Sequence, residues 1–438
     1  MSFTAIILAA GKGSRMKSSL SKPLHKIAGF EMISWVIDAA TSAGAEHIIP
    51  VISDDTPELA AFLSGYSLAI QKNQKGTADA VMAALPHFKN LAQPILVLYA
   101  DTPFINKDIM RELLDKIKSG SDICVLGFTA ENPNGYGRLV TSSNGSLQSI
   151  IEDSEASTSE KMINNVNAGI MAFNGSIIEE NIKKITPSNS REEYFLTDIV
   201  SVGYKNKLSV DYILTGKEYV IGINTLEQLA IAEAIAQNNL RRKAMLSGVT
   251  MIAPETVFLQ KDTIIGQDVI IEPNVVIAGG VSIARNCHIK SFCHLEKCSI
   301  GEGNIIGPFA RIRPDTVTSQ NVKIGNFVEV KKSTIGVSAK VNHLSYIGDT
   351  EIGDNANIGA GTITCNYDGY RKYQTKIGEG AFIGSNTALI APVNIGSNAI
   401  IGAGSTITQN VPNTGLSVAR SKQTIIPSGA KKVQDKRK

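Results

Sequence analysis

The strongest constraint on the fold is an aliphatic repeat with a period of six in the second half of the chain. Isoleucine, valine or leucine recurs at this spacing from position 265 onward, often followed directly by glycine. Hexapeptide repeats of this kind are typical of parallel β-helices. The repeated residues are Ile265, Ile271, Ile277, Ile283, Ile289, Leu295, Ile300, Ile306, Ile312, Ile324, Val330, Ile335, Ile347, Ile352, Ile358, Ile377, Ile383, Leu389, Ile395, Ile401 and Ile407.

A period of six has a direct physical meaning. Each hexapeptide supplies a short strand and a corner, with the aliphatic side chain pointing inward onto its equivalent in the next coil. Small, flexible residues suit the tight corners, and each coil buries its core only by stacking on its neighbours. The repeat skips between Ile335 and Ile347, which predicts a projecting loop or an irregular coil around KVNHLSYIG.

The first half of the chain has a different pattern. Apolar strand-like runs at 5–10, 47–53, 94–100 and 122–128 alternate with helical patterns such as residues 32–44. This alternation predicts a parallel sheet covered by helices on both faces. We therefore predict a Rossmann-like α/β domain at residues 1–224 and a β-helix with a C-terminal tail at 249–438. A linker helix is predicted at residues 225–248, with Thr225 and Gln228 as a capping box and Gly248 as its stop.

Composition narrows the class of protein. The net charge is +3, which gives no general argument for nucleic-acid binding, and the basic run Lys431, Lys432, Lys436, Arg437 and Lys438 is interpreted as a solvated terminus. No apolar run reaches the ~20 residues that a membrane-spanning helix needs. The five cysteines are odd in number and form no CxxC pair. They predict neither a disulfide framework nor a zinc site, and a reducing cytoplasm fits them best.

The loop LAAGKGSRM indicates a site for phosphates. Glycines between a strand and a helix let backbone N–H groups approach a phosphate chain, and Lys12, Arg15 and Lys22 add positive charge. The loop contains no Walker A motif, and Met16 breaks the GxGxxG dinucleotide pattern. The alternative is a glycine turn with solvated lysines.

Two further residues are notable for their positions. Asp101 follows the apolar run PILVLYA, at the sheet edge where open α/β folds bind ligands, and its carboxylate suits a hard cation such as Mg²⁺. The alternative role for Asp101 is a helix N-cap. His343 lies where the hexapeptide repeat skips, although a lone histidine is most often structural.

These motifs resemble known families. The run LAAGKGSRM followed by KPLHKIAG resembles sugar-nucleotide pyrophosphorylases, and hexapeptide solenoids recur in acyltransferases. Both halves in this order, with NHLSYIGDTEIGDNANIGAGTITCNYDG at 342–369, resemble the bacterial bifunctional N-acetylglucosamine-1-phosphate uridyltransferase/glucosamine-1-phosphate N-acetyltransferase. The resemblance covers nearly all 438 residues. It implies acetylation of glucosamine-1-phosphate by acetyl-CoA, then Mg²⁺-dependent transfer of UMP from UTP, releasing pyrophosphate and giving UDP-N-acetylglucosamine for cell-wall synthesis.

The resemblance also implies roles in the uridyltransferase half. Arg15 and Lys22 would act catalytically on the phosphates, and Asp101 with Asn224 would hold the metal. Serine replaces the family's usual threonine at Ser14, and alanine its usual glycine at Ala100. The remaining implied contacts are Leu8, Ala9 and Gly11 on the uridine, Gln71, Gly76 and Thr77 on the uracil, Tyr99 in the nucleotide site, and Gly137, Glu152 and Asn167 on the sugar.

In the acetyltransferase half, the resemblance makes His343 the general base. It also implies a homotrimer of left-handed β-helices with acetyltransferase sites between subunits, small-molecule substrates, and no nucleic-acid or membrane partner. The implied contacts are Arg313, Lys331, Tyr346, Asn357 and Lys372 on the sugar phosphate and sugar, and Ala360, Asn366, Tyr367, Ser385, Ala403 and Arg420 on acetyl-CoA.

Two alternatives remain open from the residues. One is a pyrophosphorylase for another sugar or nucleotide, such as a glucose-1-phosphate adenylyl- or thymidylyltransferase with a shorter hexapeptide domain. That interpretation leaves NHLSYIGD and TCNYDG without a purpose. The other is a solenoid that only trimerises a nucleotide-binding module. Replacement of His343 distinguishes an acetyltransferase from this scaffold, because unchanged acetyl transfer in the variant would leave that histidine with a structural role.

Overall fold

The computed structural model describes residues 2–88, 92–143, 145–187 and 193–437. The chain forms two compact units, Met1–Ala234 and Ile235–Lys438. Lys438, the last residue of the predicted basic tail, lies outside the described residues.

The first unit is built on one large sheet in the order β11-β7-β10-β6-β1-β4-β5, with β8 and β9 attached through β10. A separate small hairpin pairs β2 with β3. The strands are β1 Phe3–Leu8, β2 Lys26–Ile27, β3 Phe30–Glu31, β4 Ala45–Ile52, β5 Ala69–Ile70, β6 Ile95–Tyr99, β7 Ile123–Thr129, β8 Arg138–Thr141, β9 Leu147–Ile151, β10 Asn165–Phe173 and β11 Val210–Thr215.

The sheet is mixed, which corrects the prediction of a parallel sheet. Strand β1 pairs in parallel with β4 and β6, in a register that places Leu8 beside Val51 and Tyr99, and β11 pairs in parallel with β7. Strand β10 is antiparallel to both β6 and β7. The chain reaches β10 through the β8–β9 hairpin rather than through a helical crossover, and a hairpin connection reverses strand direction.

Helices cover both faces of this sheet, as the strand–helix alternation predicts. Residues Ile33 and Leu113 of α1 and α4 pack into the core on one face, and Val81 and Ile199 of α3 and α6 pack into the core on the other. The helices of the chain are α1 Met32–Ala43, α2 Pro57–Phe62, α3 Thr77–Ala84, α4 Lys107–Lys118, α5 Gly175–Ile182, α6 Asp198–Lys205, α7 Leu226–Leu246 and α8 Gly429–Asp435.

Helix α7 lies within the predicted linker segment. Thr225 Oγ1 accepts a hydrogen bond from the Gln228 amide at 3.2 Å, and Gln228 Oε1 accepts one from the Asn224 amide at 2.7 Å. The division between the two units falls inside this helix, after Ala234. In the second unit, Gln237 exchanges two hydrogen bonds with the backbone of Leu259, which fastens the helix to the first coil.

The second unit is a left-handed parallel β-helix of hexapeptide repeats, with three sheets of parallel strands. Face 1 comprises Thr250–Met251, Ile270–Ile271, His288–Ile289, Ile305–Ile306, Lys323–Asn326, Lys340–His343, Asn357–Ile358, Phe382–Ile383, Ile400–Ile401 and Leu416–Ser417. Face 2 comprises Phe258–Leu259, Val276–Ile277, His294–Leu295, Arg311–Ile312, Glu329–Lys331, Tyr346–Gly348, Ile363–Cys365, Ala388–Ile390 and Thr406–Ile407. Face 3 comprises Ile264–Ile265, Ser282–Ile283, Cys298–Ile300, Thr316–Thr318, Thr334–Ile335, Thr350–Ile352, Thr375–Ile377 and Val393–Ile395.

The prediction of a projecting loop or an irregular coil around His343 is wrong. Val341 is fully buried and lies six residues from both Ile335 and Ile347, so the repeat continues without a break. His343 ends a regular strand whose partner is Lys323–Asn326. The irregular coil comes later, because Ile358 pairs with Ile383, 25 residues further along, whereas Val341 pairs with Ile358, 17 residues along. The additional residues form a loop at 366–374.

Candidate functional site

A cleft of about 550 Å³ opens at the carboxyl ends of β1, β5 and β6 in the first unit. Its position follows from the sheet, since the ends of neighbouring parallel strands meet at one edge. Nine of the predicted nucleotide-binding residues line it: Leu8, Ala9, Gly11, Lys22, Gln71, Gly76, Thr77, Tyr99 and Asp101. The cleft therefore joins segments that are far apart in the chain.

Four predicted site residues form one hydrogen-bonded cluster beside this cleft. The Lys22 ammonium group donates to Asp101 Oδ2 and, at 2.8 Å, to Asn224 Oδ1. Arg15 Nη2 donates to the same Asn224 oxygen at 2.9 Å. The cluster therefore joins two predicted phosphate-binding cations to both predicted metal ligands.

The predicted sugar-binding residues adjoin one another at the β8, β9 and β10 strands. The Asn167 amide donates to the Gly137 carbonyl at 2.8 Å. A Cβ atom at Gly137 would lie 3.5 Å from Glu152 Oε1, so Glu152 is an immediate neighbour of that glycine. Glu152 also accepts from Thr197 at 3.3 Å, and its burial raises the pKa of its carboxyl group.

Tyr99 lies between the nucleotide and sugar residues. Burial first, and then the negative charges of Asp101 and Glu152, raise the pKa of its phenol, while a hydrogen bond with Thr77 opposes them. A Cβ atom at Gly169 would lie 2.9 Å from the Tyr99 ring, so only glycine fits there without movement of the ring. The Tyr99 phenol therefore stays protonated and uncharged at neutral pH.

In the second unit, His343 has a defined hydrogen-bond partner. Its Nδ1 lies 2.8 Å from Oδ1 of Asn326, which is the residue paired with His343 in the neighbouring strand of face 1. An amide oxygen accepts only, so Nδ1 carries a proton, and in the neutral imidazole the lone pair then lies on Nε2. The imidazole ring is exposed. Asn326 was not predicted from the sequence, because only strand register brings it next to His343.

His343 begins a column along the corner between faces 1 and 2, which we call the first corner. The His343 carbonyl accepts from the Gly361 amide at 3.4 Å, the Ala360 carbonyl accepts from Asn386, and the Ser385 carbonyl accepts from Gly404. Arg420 Nη1 donates to the Ala403 carbonyl at 2.8 Å. Along the first corner, His343, Ala360, Ser385 and Ala403 therefore lie in successive coils, with Arg420 at the end of the column. Asn357 lies on face 1.

A cluster of cations occupies the corner between faces 2 and 3, which we call the second corner. Lys372 first, and then burial and Arg313, lower the pKa of Lys331, so three predicted phosphate contacts lie close together. Arg313 also donates to Glu329 at 2.7 Å, and Asp349 pairs with Lys332 at 3.3 Å. The concentration of positive charge favours an anion at the second corner.

The remaining predicted acetyltransferase residues adjoin this cluster. Asn366 donates to the Asp349 carboxylate, and the Tyr367 hydroxyl donates to the Gly369 carbonyl within the 366–374 loop. A Cβ atom at Gly348 would lie 2.6 Å from the Tyr346 hydroxyl and 2.8 Å from the Asn366 amide nitrogen. Within one chain, the basic cluster and His343 therefore occupy different corners.

The fold and the two groups of residues define a class of protein: an α/β nucleoside-triphosphate transferase joined to a hexapeptide-repeat transferase. Residues 5–164 match the MobA-like NTP transferase domain family. Residues 262–297 and 374–409 match the bacterial transferase hexapeptide family, which has six repeats.

Similarity over the whole chain narrows this class to one family. The chain is 43% identical to the bifunctional protein GlmU of Bartonella quintana, over 96% of this chain and 94% of that protein. It is 44% identical to GlmU of Agrobacterium fabrum and 45% identical to GlmU of a Chelativorans species, each over 99% of this chain and 96% of the relative. The chain belongs to the GlmU family of bifunctional proteins. It is a glucosamine-1-phosphate acetyltransferase and an N-acetylglucosamine-1-phosphate uridyltransferase of UDP-N-acetylglucosamine synthesis.

Proposed function

We propose that uridyl transfer occurs in the cleft of the first unit, by in-line attack of the sugar-1-phosphate oxygen on the α-phosphorus of UTP. The bond from the α-phosphorus to the β-phosphate oxygen breaks, and pyrophosphate leaves. The observation that carries this assignment is the cluster of Arg15, Lys22, Asp101 and Asn224 beside the cleft. The attacking phosphate and the triphosphate repel each other, and fixed cations offset this repulsion in the transition state. Arg15 and Lys22 supply that positive charge, and no protein nucleophile is needed.

The residues present fit Mg²⁺ as the metal of this step. The family's nucleotidyltransferase chemistry calls for a divalent ion, and Mg²⁺ prefers one or two protein oxygens together with phosphate oxygens. Asp101 and Asn224 offer a carboxylate and an amide oxygen that already surround one cationic group, the Lys22 ammonium. In the described ranges, no group of three or more His, Cys, Asp or Glu side chains is placed to hold a metal ion. Bound Mg²⁺ would supply charge neutralisation for the phosphates.

The cleft supports separate contacts for the base and the sugar. Gln71, Gly76 and Thr77 are assigned to the uracil, and the backbone of Leu8, Ala9 and Gly11 to the uridine. Gly137, Glu152 and Asn167 are assigned to the N-acetylglucosamine, since they adjoin one another near Tyr99. Tyr99 then separates the two ligands as a neutral hydroxyl group.

Acetyl transfer is assigned to the β-helix, with His343 as general base. Its Nε2 removes a proton from the amine of glucosamine-1-phosphate as that amine attacks the thioester carbonyl of acetyl-CoA. The C–S bond then breaks, and CoA leaves as the thiol with the proton that His343 returns. The hydrogen bond between Nδ1 and Asn326 supports this role, because it leaves the basic lone pair on the other nitrogen. Arg313, Lys331 and Lys372 are assigned to the sugar phosphate, and Tyr346 and Asn357 to the sugar.

The first corner is assigned to acetyl-CoA. An extended thioester arm suits a straight column of backbone groups, and three coils at about 4.8 Å each give a column of roughly 14 Å. The residues assigned to acetyl-CoA are Ala360, Ser385, Ala403 and Arg420 at the first corner, and Asn366 and Tyr367 from the loop at 366–374, which lies at the second corner of the same chain.

We propose that the active form is a homotrimer. His343 and the basic cluster occupy different corners of one chain, so a second copy is needed to bring a base and a phosphate site together. The first corner also carries an exposed apolar column of Phe292, Phe309, Phe327 and Leu344. The three phenylalanine rings stack at 4.8 and 5.1 Å, and all four residues have φ between 48° and 62°, which is uncommon for bulky side chains. An exposed aromatic column of this kind favours association with another copy.

No helix in the described part of the chain is long and apolar enough to cross a membrane. We propose that the enzyme works in the cytoplasm, where UTP and acetyl-CoA are made, with small molecules as its ligands and without a nucleic-acid partner. The cysteines are free thiols, and four of the five are buried.

A pair of variants tests the assignment of the two reactions. His343→Ala should stop formation of UDP-N-acetylglucosamine from glucosamine-1-phosphate, and added N-acetylglucosamine-1-phosphate should restore it. Asp101→Ala should show the opposite behaviour, releasing CoA but forming no nucleotide sugar. A mixture of the two variants should complete both steps. If either variant keeps both activities, the assignment of that site is wrong.

A further inference from the structure

We propose that Asp79 fixes the side-chain amide of Gln71 in one orientation, and that the cleft thereby selects a base with a ring N–H, such as uracil, over cytosine. This inference deepens the proposed uridyl transfer and rests on it. Asp79 is a positioning residue here, since Gln71 is the group that would contact the base.

The hydrogen bonds of Gln71 determine which end of its amide faces the protein. Its side-chain Nε2 donates to the Gly76 carbonyl at 2.9 Å and to Asp79 Oδ2 at 2.8 Å. A carbonyl and a carboxylate are both acceptors only, so the NH₂ group has to face them. The Gln71 backbone is also fixed, because its amide donates to the Ile52 carbonyl at 2.9 Å and continues the pairing of β5 with β4.

In this orientation, Oε1 of the Gln71 side-chain amide is available to accept a hydrogen bond from a ligand. Gln71 lines the cleft, and none of the described residues donates a hydrogen bond to its Oε1. The N3–H of uracil can donate to that oxygen. Cytosine has a lone pair at N3, so two acceptors would face each other, and a buried polar group left unpaired is costly.

Asp79 has a second contact that suggests a simpler role. It lies in the first turn of α3, where a carboxylate interacts favourably with the helix dipole, and its Oδ2 also accepts from the Lys75 amide at 3.2 Å. Those interactions explain an acidic residue at this position. They do not explain the shorter bond to Gln71, which reaches from the helix to the loop that follows β5.

The test compares UTP with CTP in the full-length enzyme, with N-acetylglucosamine-1-phosphate and Mg²⁺. The quantity measured is the ratio of kcat/KM for UTP to kcat/KM for CTP. Asp79→Ala should lower this ratio about tenfold or more, since the Gln71 amide is then free to turn. Asp79→Asn should lower it by less, because an asparagine amide can either accept from Gln71 or donate to it.

Asp108→Ala is the matched control. Asp108 lies in the first turn of α4 and is exposed, so this variant also removes a carboxylate from a helix start but leaves Gln71 untouched. Its UTP-to-CTP ratio should equal that of the wild type. If Asp79→Ala fails to fold, Asp79→Asn, which has nearly the same shape, takes its place, and a UTP-to-CTP ratio equal to that of the wild type then counts against the proposal.

The results separate this inference from the proposed function. If the wild type transfers no uridyl group, the proposed function itself is wrong. If the wild type transfers it and prefers UTP, an unchanged ratio in the Asp79 variants would overturn the role of Asp79. A fall in the UTP rate without a change in the ratio would also overturn it, since that result indicates a structural role alone.

Discussion

Lys22 and Asp101 form an ion pair beside the cleft, although they are 79 positions apart in the sequence. The fold brings them together because the loop after β1 and the end of β6 meet at the same edge of the sheet. Asn224 accepts from the same ammonium group at 2.8 Å. A cation therefore already lies between the two oxygens that are proposed to hold Mg²⁺.

The first prediction concerns Asp101. Asp101→Asn removes the charge of the proposed metal ligand and of the partner of Lys22, so uridyl transfer should fall by about 10²–10³-fold. The Mg²⁺ concentration that gives half-maximal rate should rise, because a neutral amide binds a hard cation less well. Steady-state rates over a Mg²⁺ titration measure both quantities. Acetyl transfer by the same sample is the internal control, and an unchanged Mg²⁺ requirement would count against Asp101 as a ligand.

The second prediction concerns Asn326. Asn326→Ala removes the acceptor that orients the His343 ring, so kcat for acetyl transfer should fall by about 10–100-fold, with a smaller change in KM. His294→Ala is a suitable control, since it alters an exposed histidine on another face of the same β-helix. Release of CoA thiol gives the rate. An Asn326 variant with the wild-type kcat would show that the hydrogen bond does not position the base.

The third prediction follows from the raised pKa of Glu152. The folded state keeps this proton to a higher pH than the unfolded chain does, so folding stability is lost as pH rises above about 4.3, the ordinary pKa of glutamate. The loss is complete once the pH exceeds the folded-state pKa. Glu152→Gln lacks this titration, so the free energy of unfolding of the variant should rise relative to that of the wild type over the same pH interval.

Urea unfolding from pH 4 to pH 8 measures this difference. Trp35 is the only tryptophan in the chain and lies in α1, so its fluorescence reports on the first unit. If the two stability curves remain parallel at all pH values, burial does not raise the pKa of Glu152. Uridyl transfer should also weaken in Glu152→Gln, since this residue is assigned to the sugar.

The fourth prediction concerns the aromatic column at the first corner. Phe309 stacks between Phe292 and Phe327 and is 45% exposed, so Phe309→Ser should affect association more than folding. Light scattering should give three times 46.7 kDa for the wild type and a smaller assembly for the variant. Acetyl transfer should fall with the loss of assembly, while uridyl transfer should not.

Phe258→Ser provides the control for this experiment. Phe258 is also an exposed phenylalanine of the β-helix, 50% accessible, but it lies on face 2 in the first coil. This variant should assemble and acetylate as the wild type does. A monomeric wild type with full acetyl transfer would overturn the proposed role of a second copy.

Much of the fold could be predicted from the sequence because its two patterns are periodic. The hexapeptide repeat specifies the β-helix, since aliphatic side chains at every sixth residue are all buried only when they point inward and stack from coil to coil. The apolar runs likewise identify the buried strands β1, β4, β6 and β7. The direction of β10 could not be predicted this way, because a buried strand has the same composition whether it runs parallel or antiparallel.

The site was harder to predict than the fold. Lys22 and Asp101 were indicated by their positions in the sequence and Gln71 by the family resemblance. Asp79 and Asn326 depend on contacts between residues that the sequence alone does not reveal. The error over the coil around His343 has a simple cause. Val341 continues the repeat, six residues from both Ile335 and Ile347, but it was not counted among the repeated aliphatic residues.

One chain is assigned both acetyl transfer and the uridyl transfer that follows it. The most direct measurement is a single incubation of the purified protein with glucosamine-1-phosphate, acetyl-CoA, UTP and Mg²⁺, following free CoA thiol and the mass of the products. We expect CoA release together with UDP-N-acetylglucosamine and pyrophosphate. Nucleotide transfer to a supplied sugar-1-phosphate without any CoA release would contradict it and would leave the β-helix as a scaffold.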